Sequence, residues 1–328
     1  MRFYFLFVSG VLAILLTQTA FACDVCGSFM GITPYDNQSG ITLLHRYRLF
    51  SKIDVPGQSA FPSGAYRLQN PVAVLHTNHD SADMVKGDFE SFKVIEVRGK
   101  WFVHQRVELN AILPFQMTRS MMHSSLEKIS GMGDATFFVG LHAIRRTESK
   151  VKQRLVVGLG VKIPTGHCDR LNGSGERHHL YLQPGTGSFD EIAYLQYSIG
   201  AGRFGCSVNL TGKFNGENRF NERVKPSATS AMNFFVVYKR NTVVVLPQLQ
   251  LYVEHTDGYS VNESMQPGSA MSMIMGGAGC DAYFGRLGAH ISLQLPIAQK
   301  EIPDVPGATF RGVVGLSWNI NQTNYLLD

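Results

Sequence analysis

After residue 22 the sequence contains no apolar run near the roughly 20 residues that a transmembrane helix requires. Helical periodicity is also nearly absent there, so the mature chain is not expected to be helical. Charged residues make up only 17% of the chain, and the formal net charge of +5 is scattered rather than collected in basic runs. The sequence therefore gives no reason to expect a nucleic-acid partner.

An export signal is predicted over residues 1–22. Arg2 supplies a positive start, an apolar segment follows over residues 3–16, and Ala20-Phe21-Ala22 is an A-x-A cleavage motif. The apolar segment is too short to span a bilayer. Cleavage at this motif makes Cys23 the first mature residue, and attachment of a lipid to that cysteine stays open as an alternative.

Apolar and polar side chains alternate along most of the mature sequence. In residues 101–113, for example, Trp101 and Val107 fall on one face, while His104 and Glu108 fall on the other. A period of two residues is typical of strands with one apolar and one polar face. In a soluble sandwich the apolar faces meet in a core, whereas in a transmembrane barrel they contact lipid and the polar faces line the lumen.

The lengths of the strands and their connections favour the barrel. Most strands run about ten residues, the length of a tilted membrane strand. The strands are predicted near residues 41–50, 90–98, 101–113, 132–145, 152–163, 188–199, 204–215, 228–239, 242–254, 269–280, 286–296 and 309–320. Short turns are predicted at 99–100, 146–151, 200–203, 240–241 and 281–285, and long loops at 51–89, 114–131, 164–187, 216–227, 255–268 and 297–308.

Such regular alternation of short turns and long loops is the pattern of outer-membrane barrels. The predicted fold class is all-β: a single antiparallel up-and-down transmembrane β-barrel of about twelve strands, with long extracellular loops and short periplasmic turns. The barrel is predicted over residues 41–320, followed by a C-terminal tail over 321–328. Because hydrocarbon cannot satisfy backbone groups, the sheet must close on itself.

Three segments rich in glycine and proline resemble one family of outer-membrane barrels. They are Gly-Met-Gly-Asp at 131–134, Lys-Ile-Pro-Thr-Gly at 162–166 and Pro-Gly-Thr-Gly at 184–187. Together they resemble the family named for the meta-pathway of phenol degradation, whose members are regarded as transporters. The resemblance implies uptake of a small aromatic or hydrophobic solute. Outer-membrane lipid and the barrel assembly machinery are the partners predicted for a barrel of this kind. The chain departs from typical outer-membrane barrels because it continues past its last strand as Asn-Gln-Thr-Asn-Tyr-Leu-Leu-Asp.

Cys23 and Cys26 form a Cys-x-x-Cys pair in an N-terminal periplasmic segment predicted over residues 23–40. An oxidising compartment favours a disulfide between them, while two thiolates are also suitable ligands for Cu(I) or Zn²⁺. Both alternatives stay open, and no other cofactor is predicted. The segment is expected to lie inside or just below the barrel as a plug, because its apolar residues have no other obvious burial site.

A second set of metal-ligand residue types falls in one predicted outer loop, 164–187. Imidazole and thiolate groups bind transition metals, but histidines in polar loops are more often simply solvated. The set comprises His167, Cys168, His178 and His179.

Ionisable residues on the polar faces of the strands are predicted to line the lumen. There they keep the interior wet, pair with one another, or set selectivity. They are His104, Arg106, Glu108, His142, Lys162, Lys213, Glu254, His290 and Arg311. The predicted function is a passive channel or transporter for a small solute.

Two other functions stay open beside the channel. The first is a copper- or zinc-linked binding protein that uses Cys23 and Cys26. The second is a barrel lipid hydrolase, although His123 and Ser124 are adjacent in sequence, which is poor geometry for a catalytic dyad. Since G-x-S-x-G, P-loop and H-E-x-x-H motifs are all missing from the sequence, no enzymatic activity is predicted.

Overall fold

The structure is a computed structural model that describes residues 38–51, 88–122, 125–147, 149–266, 269–300 and 306–320. The signal, the plug segment with Cys23 and Cys26, and the C-terminal tail lie outside these ranges, apart from residues 38–40. In the part of the chain that is described, no helix is long and apolar enough to cross a membrane.

One antiparallel sheet of fourteen segments dominates the structure. Two of its strands are each built from two consecutive segments, so the segments form the twelve strands of a barrel. The strands are β1 (Gly40–Ser51), β2 (Phe89–His104), β3 (Val107–Met122), β4 (Ser125–Met132 and Ala135–Arg146), β5 (Val151–Ile163), β6 (Asp190–Ala201), β7 (Phe204–Asn215), β8 (Ser227–Val236 and Tyr238–Arg240), β9 (Val243–Thr256), β10 (Met271–Phe284), β11 (Leu287–Gln299) and β12 (Gly307–Asn319).

Each strand pairs with its neighbours in sequence, and β1 pairs with β12 to close the sheet. The closing register runs from Gly40 opposite Asn319 to Ser51 opposite Gly307. Closure removes the free sheet edges that a membrane cannot tolerate. The predicted all-β barrel of about twelve strands is confirmed.

The two ends of the barrel differ in their connections. At one end the strands are joined by turns of a few residues, and we call this the short-turn end. At the other, the long-loop end, the connection between β7 and β8 and that between β9 and β10 share a small separate sheet. That sheet contains Glu222–Val224, Tyr259–Val261 and Ser264–Met265.

The outer face of the barrel is apolar. Along β9, for example, Leu249 and Leu251 are exposed on the outside, while Gln248 and Gln250 are buried inside. Large aromatic residues stand exposed where the strands reach the short turns, as in a membrane-interface girdle. These residues are Trp101, Phe204, Tyr238, Phe284 and Trp318.

The first predicted hairpin turn is wrong. The chain does not turn at residues 99–100 but at Gln105 and Arg106, so that β2 runs to His104 and β3 begins at Val107. A shift of register between Phe102 and His104 places Trp101 opposite Leu109. Odd-numbered residues therefore face outward on both sides of the turn, which made the two strand ends look like one continuous strand.

The predicted long loop at residues 114–131 is also wrong. The chain continues as a hairpin in which Phe115 pairs with Met132 and Met122 pairs with Ser125. Pro114 and Gly131 suggested a loop, because both residue types usually interrupt strands. Here the irregularity is only local, since Gly133 N–H donates to the Pro114 carbonyl at 2.9 Å and the pairing resumes on either side.

Candidate functional site

The barrel interior contains most of the predicted lumen residues. Successive side chains of each strand point alternately to the lipid and to the interior, so every second residue of a strand lines the interior. Six of the predicted residues are at most 3% exposed and lie on this inner face: Glu108, His142, Lys162, Lys213, Glu254 and Arg311. The His290 ring also lies on the inner face, where Nδ1 is 2.5 Å from Asp281 Oδ1.

The placement of His104 and Arg106 on the inner face is corrected by the structure. Both are exposed at the short-turn end, Arg106 within the turn itself and His104 immediately before it. The Arg106 N–H donates to His104 Nδ1 at 3.3 Å. These residues were assigned to the lumen because the period of two residues continues unbroken through the turn.

Glu108 is the centre of one buried ion cluster near the short-turn end. Its Oε2 lies 2.9 Å from Lys100 Nζ and 3.0 Å from His142 Nε2. Asn110 Nδ2 donates to Oε1 of the same carboxylate at 3.2 Å, and Tyr194 reaches it from β6 at 3.5 Å. A carboxylate buried this deeply is stable only with such partners.

A second ion pair joins strands that are not neighbours. Arg48 on β1 contacts Glu254 Oε2 on β9 at 3.1 Å, although β10, β11 and β12 lie between these strands in the sheet. The Tyr252 hydroxyl donates to the same oxygen at 2.9 Å. The Arg311 guanidinium stacks 4.0 Å from the Tyr252 ring centre, a geometry typical of a cation–π contact. Side chains therefore reach across the interior at this level.

A third cluster consists of two lysines and two aspartates. Lys162 Nζ lies 2.8 Å from Asp134 Oδ2 and 2.7 Å from Asp190 Oδ2, and Lys213 Nζ is 2.7 Å from the same Asp190 oxygen. All four side chains are almost completely buried. Their opposite charges compensate one another, which offsets the cost of removing each from water.

The three sequence motifs meet at Asp134. Its Oδ1 accepts a hydrogen bond from Gly166 N–H at 2.9 Å, and its Oδ2 accepts from Lys162 and from the Thr186 N–H at 2.8 Å. Gly166 lies so close that an added Cβ would stand 2.6 Å from the carbonyl carbon of Gly133. The glycines of the motifs are thus required by close approach of three backbone segments.

The motifs hold one loop, residues 164–189, which we call the cap loop. Its Tyr181 hydroxyl donates to Glu90 Oε1 on β2 at 3.1 Å, and Gln116 on β3 donates to the Gln183 carbonyl at 3.3 Å. On the other side, Asn218 in the connection between β7 and β8 donates to the Thr186 carbonyl at 2.9 Å. The cap loop therefore lies across the long-loop end of the barrel.

The structure separates the four metal-ligand candidates of the cap loop. His178 Nδ1 lies 2.8 Å from Glu127, His179 Nδ1 lies 3.3 Å from the Tyr259 hydroxyl, and His167 is exposed. Cys168 is buried, and burial raises the pKa of its thiol. Among the residues described, no group of three or more His, Cys, Asp or Glu side chains is placed to hold a metal ion.

Sequence reasoning missed three acidic partners of the buried lysines and arginines, Asp134, Asp190 and Glu96. Asp190 is the first residue of β6 and Asp134 immediately precedes the second segment of β4, positions at which the alternating pattern is not yet established. Glu96 binds both Arg46 and Arg98 inside the barrel and was also missed. The signal that could have identified Glu96 is the inward parity of β1 and β2, which places it on the same face as Arg46 and Arg98.

The closed sheet, apolar exterior and polar interior define an outer-membrane β-barrel fold. No family model matches the sequence, and no curated protein matches it. Among solved structures, the barrel is similar to an outer-membrane channel from Pseudomonas putida F1, with a TM-score of 0.62 and 16% identity over 88% of this chain and 100% of that one. The β domain of the Bordetella autotransporter BrkA aligns with a TM-score of 0.47 and 9% identity over 87% of this chain and 100% of that chain.

Proposed function

We propose that this protein is a passive outer-membrane conduit for a small solute. The observation that carries the proposal is a closed barrel whose outer face is apolar and whose inner face is ionic. Twelve strands enclose more space than the smallest eight-stranded barrels, which side chains fill, and less than the sixteen-stranded porins. The similarity in fold to a Pseudomonas putida outer-membrane channel supports this proposal.

The finer proposal concerns the solute, which we infer to be a small organic molecule. It agrees with the resemblance to the meta-pathway family, and apolar groups inside the barrel support it. Phe50, Tyr252, Met273, Met275 and Ala308 form a buried apolar cluster, and the guanidinium groups of Arg48 and Arg311 stack on the rings of Phe50 and Tyr252. An interior with both ionic and apolar surfaces suits a solute that has both kinds of group.

The experiment is planar-bilayer conductance of the refolded mature protein. We expect discrete but small conductance steps, because the Arg48–Glu254 pair reaches across the interior. Replacing both members with methionine, as Arg48→Met/Glu254→Met, removes the pair while keeping the side chains long, and is expected to raise the conductance. Leu249→Ala on the lipid face is the matched control. A refolded wild-type barrel that gives no steps above those of a protein-free bilayer would contradict the proposal.

The proposed lumen roles can be tested in the same recordings. The ratio of cation to anion permeability reports selectivity, so charge removal by Lys213→Met is expected to shift it toward cations. An equal shift from Arg106→Met, which changes an exposed turn residue, would show that the effect is not specific to the interior.

The two alternative functions have gained no support from the described residues. Cys23, Cys26, His123 and Ser124 all lie outside them. Copper or zinc titration of wild type against Cys26→Ala tests the metal-linked alternative, and a lipase assay of Ser124→Ala tests the hydrolase. Insertion by the barrel assembly machinery and contact with outer-membrane lipid belong to the proposed conduit function.

A further inference from the structure

A cavity of about 80 Å³ lies inside the barrel at the short-turn end. It is bounded by inner-face residues of β1, β2, β3, β10, β11 and β12. Part of its lining is apolar, from Leu44, Ile112 and Tyr283. The rest is polar, and the arrangement of its hydrogen-bonding atoms indicates what the cavity binds.

The charged residues of the lining already have partners. Lys100 pairs with Glu108 at 2.9 Å, Asp281 pairs with His290 at 2.5 Å, and Arg98 pairs with Glu96. An ion entering the cavity therefore meets compensated charges rather than a free one. The lining favours a neutral ligand over either a cation or an anion.

Three neutral amides differ from these charged residues. Gln38, Asn110 and Asn319 are each at most 6% exposed and line the cavity. Gln38 Oε1 and Nε2, Asn110 Oδ1 and Asn319 Nδ2 have no hydrogen-bond partner among the residues that the structure describes. A buried amide without a partner is costly, so these atoms need a ligand that supplies both donors and acceptors.

We infer that this cavity is a binding site for a small neutral molecule of the primary amide class. The ligand's N–H groups complement Gln38 Oε1 and Asn110 Oδ1, and its carbonyl oxygen complements Gln38 Nε2 and Asn319 Nδ2. An apolar cavity of roughly 150 Å³ accommodates benzene, so this smaller one takes a molecule of about four heavy atoms. The inference rests on the proposed conduit function in one respect: it assumes that a transported solute passes through the barrel interior and binds in this cavity on the way.

Acetamide is the probe for the test, with acetone as the matched probe that has as many heavy atoms but no N–H donor. Saturation-transfer NMR on the refolded barrel follows the methyl signal of each compound. We expect acetamide to bind with a Kd on the order of 1 mM, since so small a ligand makes few contacts. Acetone is expected to bind at least about fivefold more weakly, because it lacks the donors.

Gln38→Met is the decisive variant. It preserves the length of the side chain, and it removes no hydrogen bond between the Gln38 amide and the described residues. The variant is therefore expected to melt at or above the wild-type temperature while acetamide binding weakens about tenfold. Asn319→Leu is a second variant with the same expected loss of binding. Asn233→Leu, which removes a buried amide that does not line the cavity, is the control and should keep wild-type binding.

Equal acetamide affinity in wild type and both cavity variants, or no acetamide binding at all, overturns the inference and leaves water as the occupant. Equal binding of acetone and acetamide also overturns it. Conductance measured on the same preparation separates this result from the conduit proposal. A conducting barrel that does not bind acetamide refutes only the site, whereas a non-conducting barrel that binds it through Gln38 refutes only the conduit.

Discussion

Asp134 accepts two hydrogen bonds from Thr186, one from the backbone N–H at 2.8 Å and one from the hydroxyl at 3.0 Å. The two residues belong to different motifs, and their contact fixes the cap loop to the wall of the barrel. Asp134→Asn keeps the shape but removes the charge that compensates Lys162. Removing one partner of a buried ion pair costs about 3–5 kcal/mol, so we expect a lower free energy of unfolding.

Limited trypsin digestion measures how firmly the cap loop is held against the barrel wall. Cleavage after Arg170 and Arg177 in the cap loop is expected to accelerate in Asp134→Asn. Asp169→Asn is the control, because Asp169 pairs with Arg219 in an exposed position and such pairs contribute about 0–1 kcal/mol. Equal cleavage of the two variants would show that Asp134 does not hold the loop.

Gly166→Ala tests the close approach of the motif backbones. The added methyl group would stand 2.6 Å from the Gly133 carbonyl carbon and 2.9 Å from the Asp134 nitrogen, so the segments must separate. Overpacking of this kind costs about 1–3 kcal/mol, measurable by chemical unfolding in vesicles. Gly173→Ala is the matched control in the same loop, since its Cβ meets no atom within 4 Å and its stability should be unchanged. Similar stabilities for both variants would contradict the packing described.

Leu249→Lys tests which face of the sheet contacts lipid. Leu249 is 66% exposed near the middle of β9, and a lysine at the bilayer midplane costs about 2–4 kcal/mol. Tyr238→Lys, also on the outer face but at the short-turn end, should cost only about 0–1 kcal/mol. Unfolding by guanidinium in lipid vesicles gives both values. The same cost at the two positions would place the midplane elsewhere.

Cys168 is predicted to react slowly with iodoacetamide in the folded protein. Its thiol is buried and burial raises its pKa, so a smaller thiolate fraction is present at any given pH. Labelling measured by mass spectrometry at pH 8 should be at least about tenfold slower than in the urea-unfolded chain, and it should accelerate as the pH rises. Equal rates in the folded and unfolded chains would show that the thiol is accessible.

Much of the barrel followed from the period of two residues, because lipid on one side and a wet interior on the other impose that period on every strand. The number of strands and the inner-face positions of Glu108 and Glu254 could be predicted in this way. The turn at Gln105 and Arg106 could not be predicted in this way. The register shift beside it keeps odd-numbered residues on the outer face both before and after the turn, so the alternation continues without a break. Asp134 and Asp190 were missed for a different reason: they lie where strand segments begin, before the alternation is established, and their partners are distant in sequence.

The pairing of Gly40 with Asn319 also constrains how the protein is made. One edge of β1 pairs with β2, but its other edge has no permanent partner until β12 has been synthesised, so an incomplete chain carries unpaired backbone groups at both margins of its sheet. Such a chain is prone to aggregate, and contacts between distant segments form slowly. The two margins must therefore be kept from pairing with other chains until β12 reaches β1.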